Sequence, residues 1–363
     1  MRSQVPSPQT IVKGVMQIQK KVRAQQEWTN RYGKILPVIS TNFQGRKIVG
    51  AGNKLYQDTD QHPWKYIPDF LYDYVPGIFG SDWGIAELAR PENEWHPVVK
   101  WRVEALRYLQ RQSRLPDNTY DVKPNGYMGA YLAFAFNLFA IECNSRFDDD
   151  LLARLRNKQQ FQGARHEVFV EATCLRAGFA IEHENERDGT RRHAEFTARH
   201  KATGQLLSIE AKSKHREGVL GQPGVPKPHE KLSLRFGKLL NDAIAKNPPH
   251  PLVVFVDTNL PYRSAERILG RDPLDANKPT RIMRELIERE RKEHGGVDRY
   301  AMLVFTNHPH HYALPDELDP QRHTLSVMPL AMATPVIHTS ALDELRHAVE
   351  LYGNVPDEFP PQQ

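Results

Sequence analysis

Only two cysteines occur in the 363 residues, Cys143 and Cys174. Each stands in an apolar helical context, so both are expected as packed thiols rather than a disulfide. Two cysteines without paired-histidine spacing also exclude an ordinary structural zinc site. Long apolar runs are scarce. The longest, Tyr127 to Ile141, is shorter than the ~18–20 residues of a membrane span and contains Asn137, so it reads as a buried helix. Met1-Arg2 is followed by Ser, Gln and Pro instead of an apolar stretch, which argues against a secretory signal. No GK[ST] phosphate cradle and no internal repeat is found. The expected location is cytoplasmic, with no membrane partner.

What is present suits a folded protein of two domains. Hydrophobic residues make up 39% and charged residues 26%, a globular balance far from disorder. The length exceeds one typical domain and is ample for a core without disulfides. The net charge of +5 is unevenly placed. Residues 1–54 hold ten basic side chains (Arg2, Lys13, Lys20, Lys21, Arg23, Arg31, Lys34, Arg46, Lys47, Lys54) against one acid, Glu27. A concentrated basic segment suits a polyanion such as nucleic acid, because each neutralised phosphate releases counterions. A solvated basic face explains the same charge equally well.

Residues 1–158 read as a mostly helical, basic N-terminal domain. Thr10 to Trp28 has the pattern of a basic amphipathic helix. Pro97 to Gln112 reads as a helix with Val99, Val103, Leu106 and Leu109 on one stripe. Residues 35–95 are rich in aromatics, Pro and Gly, and their periodicity assigns no elements. Their aromatics could stack on unpaired bases, but a core role is the commoner one. Asp148 to Asp150 open a further helix.

The pattern changes near residue 160, and residues 159–363 read as a second domain. Gly163 to Ala177 is a helix closed by Gly178. Strands follow at Phe179–Glu186, His193–Arg199 and Gln205–Lys214, with turns at Asp188-Gly189 and at Lys201–Gly204. A Gly/Pro-rich loop at 218–228, a helix to about Lys246 and an apolar strand at Leu252–Asp257 come next. A charged helix (280–294), a buried strand (300–306) and a helix from Ser340 to Gly353 complete the order. Helix, three-strand meander, helix and strand imply an α/β (α+β) domain with a mixed sheet flanked by helices.

The segment HAEFTARHKATGQLLSIEAKSK, residues 193–214, carries the chemistry. Alternate strand residues face one side, so Glu210 and Lys212 project together while Ile209 and Ala211 face a core. An antiparallel partner strand can set Glu195 beside Glu210. Two carboxylates and an ammonium gathered this way are costly in a plain core. They suit Mg²⁺, which takes oxygen ligands and keeps several waters. A lysine beside such an ion can orient water or neutralise charge on a phosphodiester. A strand-edge salt bridge is the bland explanation.

This arrangement resembles the PD-(D/E)xK nuclease superfamily, with its restriction-endonuclease-like fold, over roughly residues 160–257. Four features carry the resemblance: the helix GARHEVFVEATCLRAGF, the acid in HAEF, IEAK at a strand end fifteen positions later, and the helix and strand LVVFV that follow. It implies a Mg²⁺-dependent nuclease, with Mn²⁺ as a substitute ion. Glu195 and Glu210 would be the metal-binding acids, Glu167 on the preceding helix a further or water-mediated ligand, and Lys212 the water-positioning lysine. The sequence departs from the pattern in having Glu195 in place of Asp, preceded by Ala194 instead of Pro. Glu171, one turn after Glu167, competes for the helix role. The resemblance favours DNA over RNA as substrate, and a homodimer or larger assembly is compatible with it. The alternative is a catalytically inactive nuclease-fold module that binds nucleic acid or a protein partner.

The triplet E-x-K is weak alone, since Glu290-Arg291-Lys292 matches it on a charged helix where positions i and i+2 do not share a face. Ser208 and Lys214 share the face of Glu210 but are explained by packing and by a strand end. His308, His310 and His311 have no helix or strand ligand spacing and read as ordinary loop residues.

Overall fold

The computed structural model describes residues 8–35, 39–117, 119–183, 193–225, 227, 236–260, 271–272, 275–279, 281–293, 295, 299–308, 326–328 and 337–360. The expected Asp188-Gly189 turn and His310 and His311 lie outside them.

The first helix, α1 (Pro8–Tyr32), sends Trp28 and Tyr32 near its end into the core, while Lys20, Lys21 and Arg23 are exposed. Three antiparallel strands follow, β1 (Ile39–Phe43), β2 (Arg46–Ala51) and β3 (Lys54–Gln57). This sheet lies in the segment to which the sequence assigned no elements, within a half that is otherwise mostly helical. It bends at Gln44-Gly45, both at positive φ (49° and 78°), the backbone of a tight hairpin. Few of its side chains are buried, Ser40, Val49 and Ala51 among them, so no alternation marks it in the sequence.

Helices α2 (Ile67–Phe79), α3 (Ser81–Leu88) and α4 (Pro97–Gln110) carry the aromatics inward. Trp64, Phe70, Tyr74 and Phe79 are buried in one cluster, which gives the aromatics of this segment a packing role. The buried face of α4 runs through Val98, Trp101 and Ala105, a correction to the expected stripe, of which only Val99 is fully buried. At its start the His96 ring accepts a hydrogen bond from the Val98 N–H at 3.3 Å.

Helix α5 (Gly126–Asn144) is longer than the apolar run suggested. By length and composition it could cross a membrane, but 89% of that stretch is buried inside the protein. Helix α6 (Asp149–Arg156) is capped by Asp148, whose carboxylate accepts from the Asp150 N–H. Cys143 and Cys174 are both buried free thiols, and burial pushes the Cys143 thiol up to about 12.

Helix α7 (Phe161–Arg176) joins the halves. It lies against α5 on one side and against the second sheet on the other. Its last residue, Arg176, donates to the Tyr32 carbonyl at 2.8 Å and the Leu351 carbonyl at 3.1 Å, tying both chain ends together. The basic N-terminal segment is partly consumed by such joints: Lys34 pairs with Glu344 and Lys54 with Glu142, each at 2.6 Å.

The second sheet begins with β4 (Phe179–His183), β5 (Phe196–His200) and β6 (Leu206–Ser213), an antiparallel meander. After α8 (Gly237–Ile244) comes β7 (Leu252–Asp257), parallel to β6. A short two-stranded ribbon, β8 (Arg271–Asp272) with β9 (Asp275–Pro279), and α9 (Arg281–Glu293) precede β10 (Met302–Thr306), parallel to β7. The antiparallel β11 (Ser326–Met328) forms the edge, and α10 (Thr339–Glu350) ends the described elements. The strand order is β11-β10-β7-β6-β5-β4. The expected mixed sheet flanked by helices is what forms. Ile209, Ala211, Val253 and Phe255 pack under α7 and α10; Val254, Val256, Leu303 and Phe305 pack under α8. Both faces are therefore covered, which is why β7 and β10 are buried throughout and apolar up to their last residues, Asp257 and Thr306.

Candidate active site

On β6 the strand alternation sets Glu210 and Lys212 on the face covered by α8. Glu210 is fully buried, and its Oε1 lies 2.5 Å from the Lys212 ammonium. The ladder pairs Phe196 of β5 with Ile209, and the N–H of Glu195 donates to the Ile209 carbonyl at 3.0 Å, carrying the pairing one residue beyond β5. Glu195 is thereby held at the site end of the meander, with its side chain 18% exposed. The expected antiparallel approach of the two acids is present.

A third element completes the group. Helix α8 ends at Ile244, and the chain turns through a left-handed backbone at Asn247 (φ 46°), ahead of two prolines. Lys246, in the turn between them, reaches back to the sheet. Its ammonium is 2.7 Å from Glu210 Oε1, 3.0 Å from Oε2 and 3.8 Å from Glu195 Oε1. One ammonium thus touches both acids. The sequence reading missed Lys246, because a lysine at a helix C-terminus is the ordinary partner of the helix dipole. The Asn-Pro-Pro stop after it was the only available signal that its position is fixed.

Glu167 on α7 enters differently. Both of its oxygens are held at 2.6 Å by the Arg154 guanidinium of α6, a bidentate pair. Its charge still reaches Glu195. The Glu195 pKa is pushed up to about 7, first by burial, then by the charges of Glu167 and Glu210, against the opposing pull of Lys246 and Lys212. Burial works against the Lys212 ammonium, yet Glu210, Glu195 and Asp242 outweigh it and raise its pKa. Three carboxylates and two lysines are gathered here, with Lys212 and Lys246 each 20% exposed and so within reach of solvent. Glu171, the competitor of Glu167, is buried and faces elsewhere, toward Ser145 at 3.2 Å and His183 at 3.3 Å.

Burial and two neighbouring acids both disfavour the charged form of Glu195, and a nearby cation favours it. A divalent ion would be such a cation, and the all-oxygen donor set of Glu195 and Glu210 fits Mg²⁺ or Mn²⁺.

A second polar cluster lies at the carboxyl ends of β7 and β10. Asp257, His166 and His308 are buried, with His166 Nδ1 4.0 Å from Asp257 Oδ2 and His308 Nε2 3.9 Å from Oδ1. His308 lies in the loop after β10, as expected, but is buried. Donor atoms of the three lie within 4.8 Å of one another, a spacing a metal ion could use. The charge balance speaks against it, because Arg165 already donates to Asp257 Oδ2 from a position equally buried. A dication would add two uncompensated charges in a closed interior. Even with Arg165 present, burial raises the Asp257 pKa to about 6, and burial drives the His166 pKa far below its ordinary value.

Comparisons with protein-family models, with curated proteins and with solved structures found no match for the chain.

Proposed function

We propose that the chain is a divalent-metal-dependent nuclease of the PD-(D/E)xK kind, built on the restriction-endonuclease-like sheet and hydrolysing phosphodiester bonds, with DNA the favoured substrate. The observation that carries this reading is the gathering of Glu195, just ahead of β5, with Glu210 and Lys212 of β6 about the Lys246 ammonium, both lysines being 20% exposed. A helix, an antiparallel meander, a helix and a parallel strand in succession support it, since that order sets the acids at the middle of the sheet.

In this reading Glu195 and Glu210 hold Mg²⁺ or Mn²⁺. The ion, when bound, draws charge from the scissile phosphate and acidifies water. Lys212, held by Glu210, orients the attacking water and faces the growing negative charge on phosphorus. Glu167 keeps the site acidic through its influence on Glu195, and Arg154 fixes its orientation. The exposed Lys20, Lys21 and Arg23 of α1 offer a place for the nucleic-acid backbone.

A second reading, the same fold binding without cutting, draws on one observation. Glu167 and Glu210 already have internal cationic partners in Arg154 and Lys246. The two readings part in one assay: single- and double-stranded DNA and RNA are incubated with the full chain in Mg²⁺, Mn²⁺ or chelator. The nuclease reading expects metal-dependent cleavage of DNA that Lys212→Ala slows. Cleavage at the wild-type rate in Lys212→Ala overturns the mechanism, and binding of every substrate without cleavage favours the second reading.

A further inference from the structure

Lys246 sets its ammonium within ion-pair distance of both acids. It meets both oxygens of Glu210, at 2.7 and 3.0 Å, and Glu195 at 3.8 Å. Lys212, by contrast, has Glu210 as its direct partner, at 2.5 Å. An ammonium lodged between the two carboxylates would compete with a divalent ion for the same acids, by charge repulsion and by space.

We infer that Lys246 is a built-in placeholder cation, which holds the metal-free acids together and competes with the divalent ion for them. The inference rests on the metal-binding reading of Glu195 and Glu210. Its physical basis is charge. Glu210 is fully buried, and with Lys212 alone beside two carboxylates the empty site would keep a net negative charge away from water. Lys246 relieves that while the site waits for metal. Its anchor favours exchange, because it is the last residue before the Asn247 turn and is itself 20% exposed, so its long side chain can swing outward without unwinding α8.

The consequence is opposite to that of an ordinary site lysine. Removing the positive charge tightens divalent binding, because the ion no longer displaces a competitor and meets one more uncompensated charge. Mn²⁺ alone is the probe, titrated calorimetrically into the metal-free full chain at low ionic strength. Lys246→Met is expected to bind Mn²⁺ roughly tenfold or more tightly than the wild type, a size set by one extra unit charge a few ångströms away. Lys246→Arg keeps the charge and should stay near the wild-type affinity, which separates charge from packing. Circular dichroism reads folding, with Lys246→Gln replacing the Met variant if that is unfolded without metal. Unchanged or weakened affinity in both neutral variants overturns the placeholder. The reading beneath it has its own control: Glu210→Gln should lose Mn²⁺ binding. If Glu210→Gln binds as the wild type does, the metal site itself is wrong. If only the Lys246 variants disappoint, the placeholder alone is wrong.

Discussion

The two polar clusters of the second sheet are made of the same kinds of atom and solve opposite problems. Around Asp257 there is one acid, one guanidinium and two histidines, all buried, and the charges cancel. Around Glu210 there are three acids, two lysines and the Arg154 guanidinium that pairs with Glu167, so the formal charges cancel here as well; burial and the neighbouring acids still push the Glu195 pKa up to about 7. The first cluster is buried throughout and joins α7 to the ends of β7 and β10. The second keeps both lysines 20% exposed, within reach of solvent. What separates the two is solvent access and the crowding of carboxylates, not net charge.

The largest effect expected is at the open cluster. Glu210→Gln should lower metal-dependent cleavage about a thousandfold or more, the scale of removing a group that acts on charge in the transition state. Some stability should go as well, because the amide removes the charge that pairs both ammoniums and sets an N–H₂ donor where an acceptor oxygen stood. Rates on a plasmid and on a single-stranded oligonucleotide, beside thermal melting of the same preparations, check this. A variant that cuts normally removes the contrast between the clusters.

The closed cluster should answer in stability, with a definite pH dependence. Burial pushes the Asp257 pKa in the folded protein up to about 6, above the ordinary ~3.9 of an aspartate. A raised carboxyl means that the folded protein holds a proton the unfolded chain has released. Stability from this group is therefore full below about 4 and falls as pH rises toward 6. In Arg165→Met the ionised form loses its partner, the folded pKa climbs further and the loss extends to higher pH. Urea unfolding should show a small deficit at pH 5, where Asp257 is already protonated, and about 3 kcal/mol at pH 8. An equal deficit at both pH values would mean that Arg165 acts by packing and not by charge.

His308→Ala sharpens the same contrast at smaller cost. It opens a cavity beside Phe169 and Tyr352, whose rings lie 4.9 and 4.4 Å from the imidazole. About 2–3 kcal/mol of stability should go. Mn²⁺ and Zn²⁺ binding, read by calorimetry, should not change. Loss of a bound Zn²⁺ in this variant would mean that the closed cluster takes metal after all.

Much of the second sheet was readable from the chain alone because its elements follow local periods. Strand alternation placed Glu210 and Lys212 on one face, and a short turn ending in Gly204 brought Glu195 near them. What escaped was set by distance along the chain. Lys246 is 36 residues from Glu210, and Arg165 is 92 from Asp257. Neither has a local pattern that differs from an exposed helix residue, and only the packing of α8 and α7 on the sheet reveals it. The β1–β3 sheet escaped for another reason, since strands with few buried residues show no alternation to read.

The smallest effect concerns α1, which stands apart from both clusters. Several basic residues of its segment are tied into joints, so the +9 of residues 1–54 overstates what is free to meet a polyanion. Lys20, Lys21 and Arg23 are exposed, but so are Met16, Ile18 and Val22 on the same helix. Charge and apolar surface predict different partners, and salt separates them. If α1 grips phosphates, replacing the three cations by Gln should reduce the slope of log affinity against log salt by about 2–3 for duplex DNA, since each contact contributes ~0.9. Fluorescence anisotropy between 50 and 200 mM salt, at about those concentrations, spans the range where phosphate contacts dominate. An unchanged slope would assign the nucleic-acid grip to another face. An affinity that barely responds to salt even in the wild type would turn the apolar side of α1 toward a protein partner.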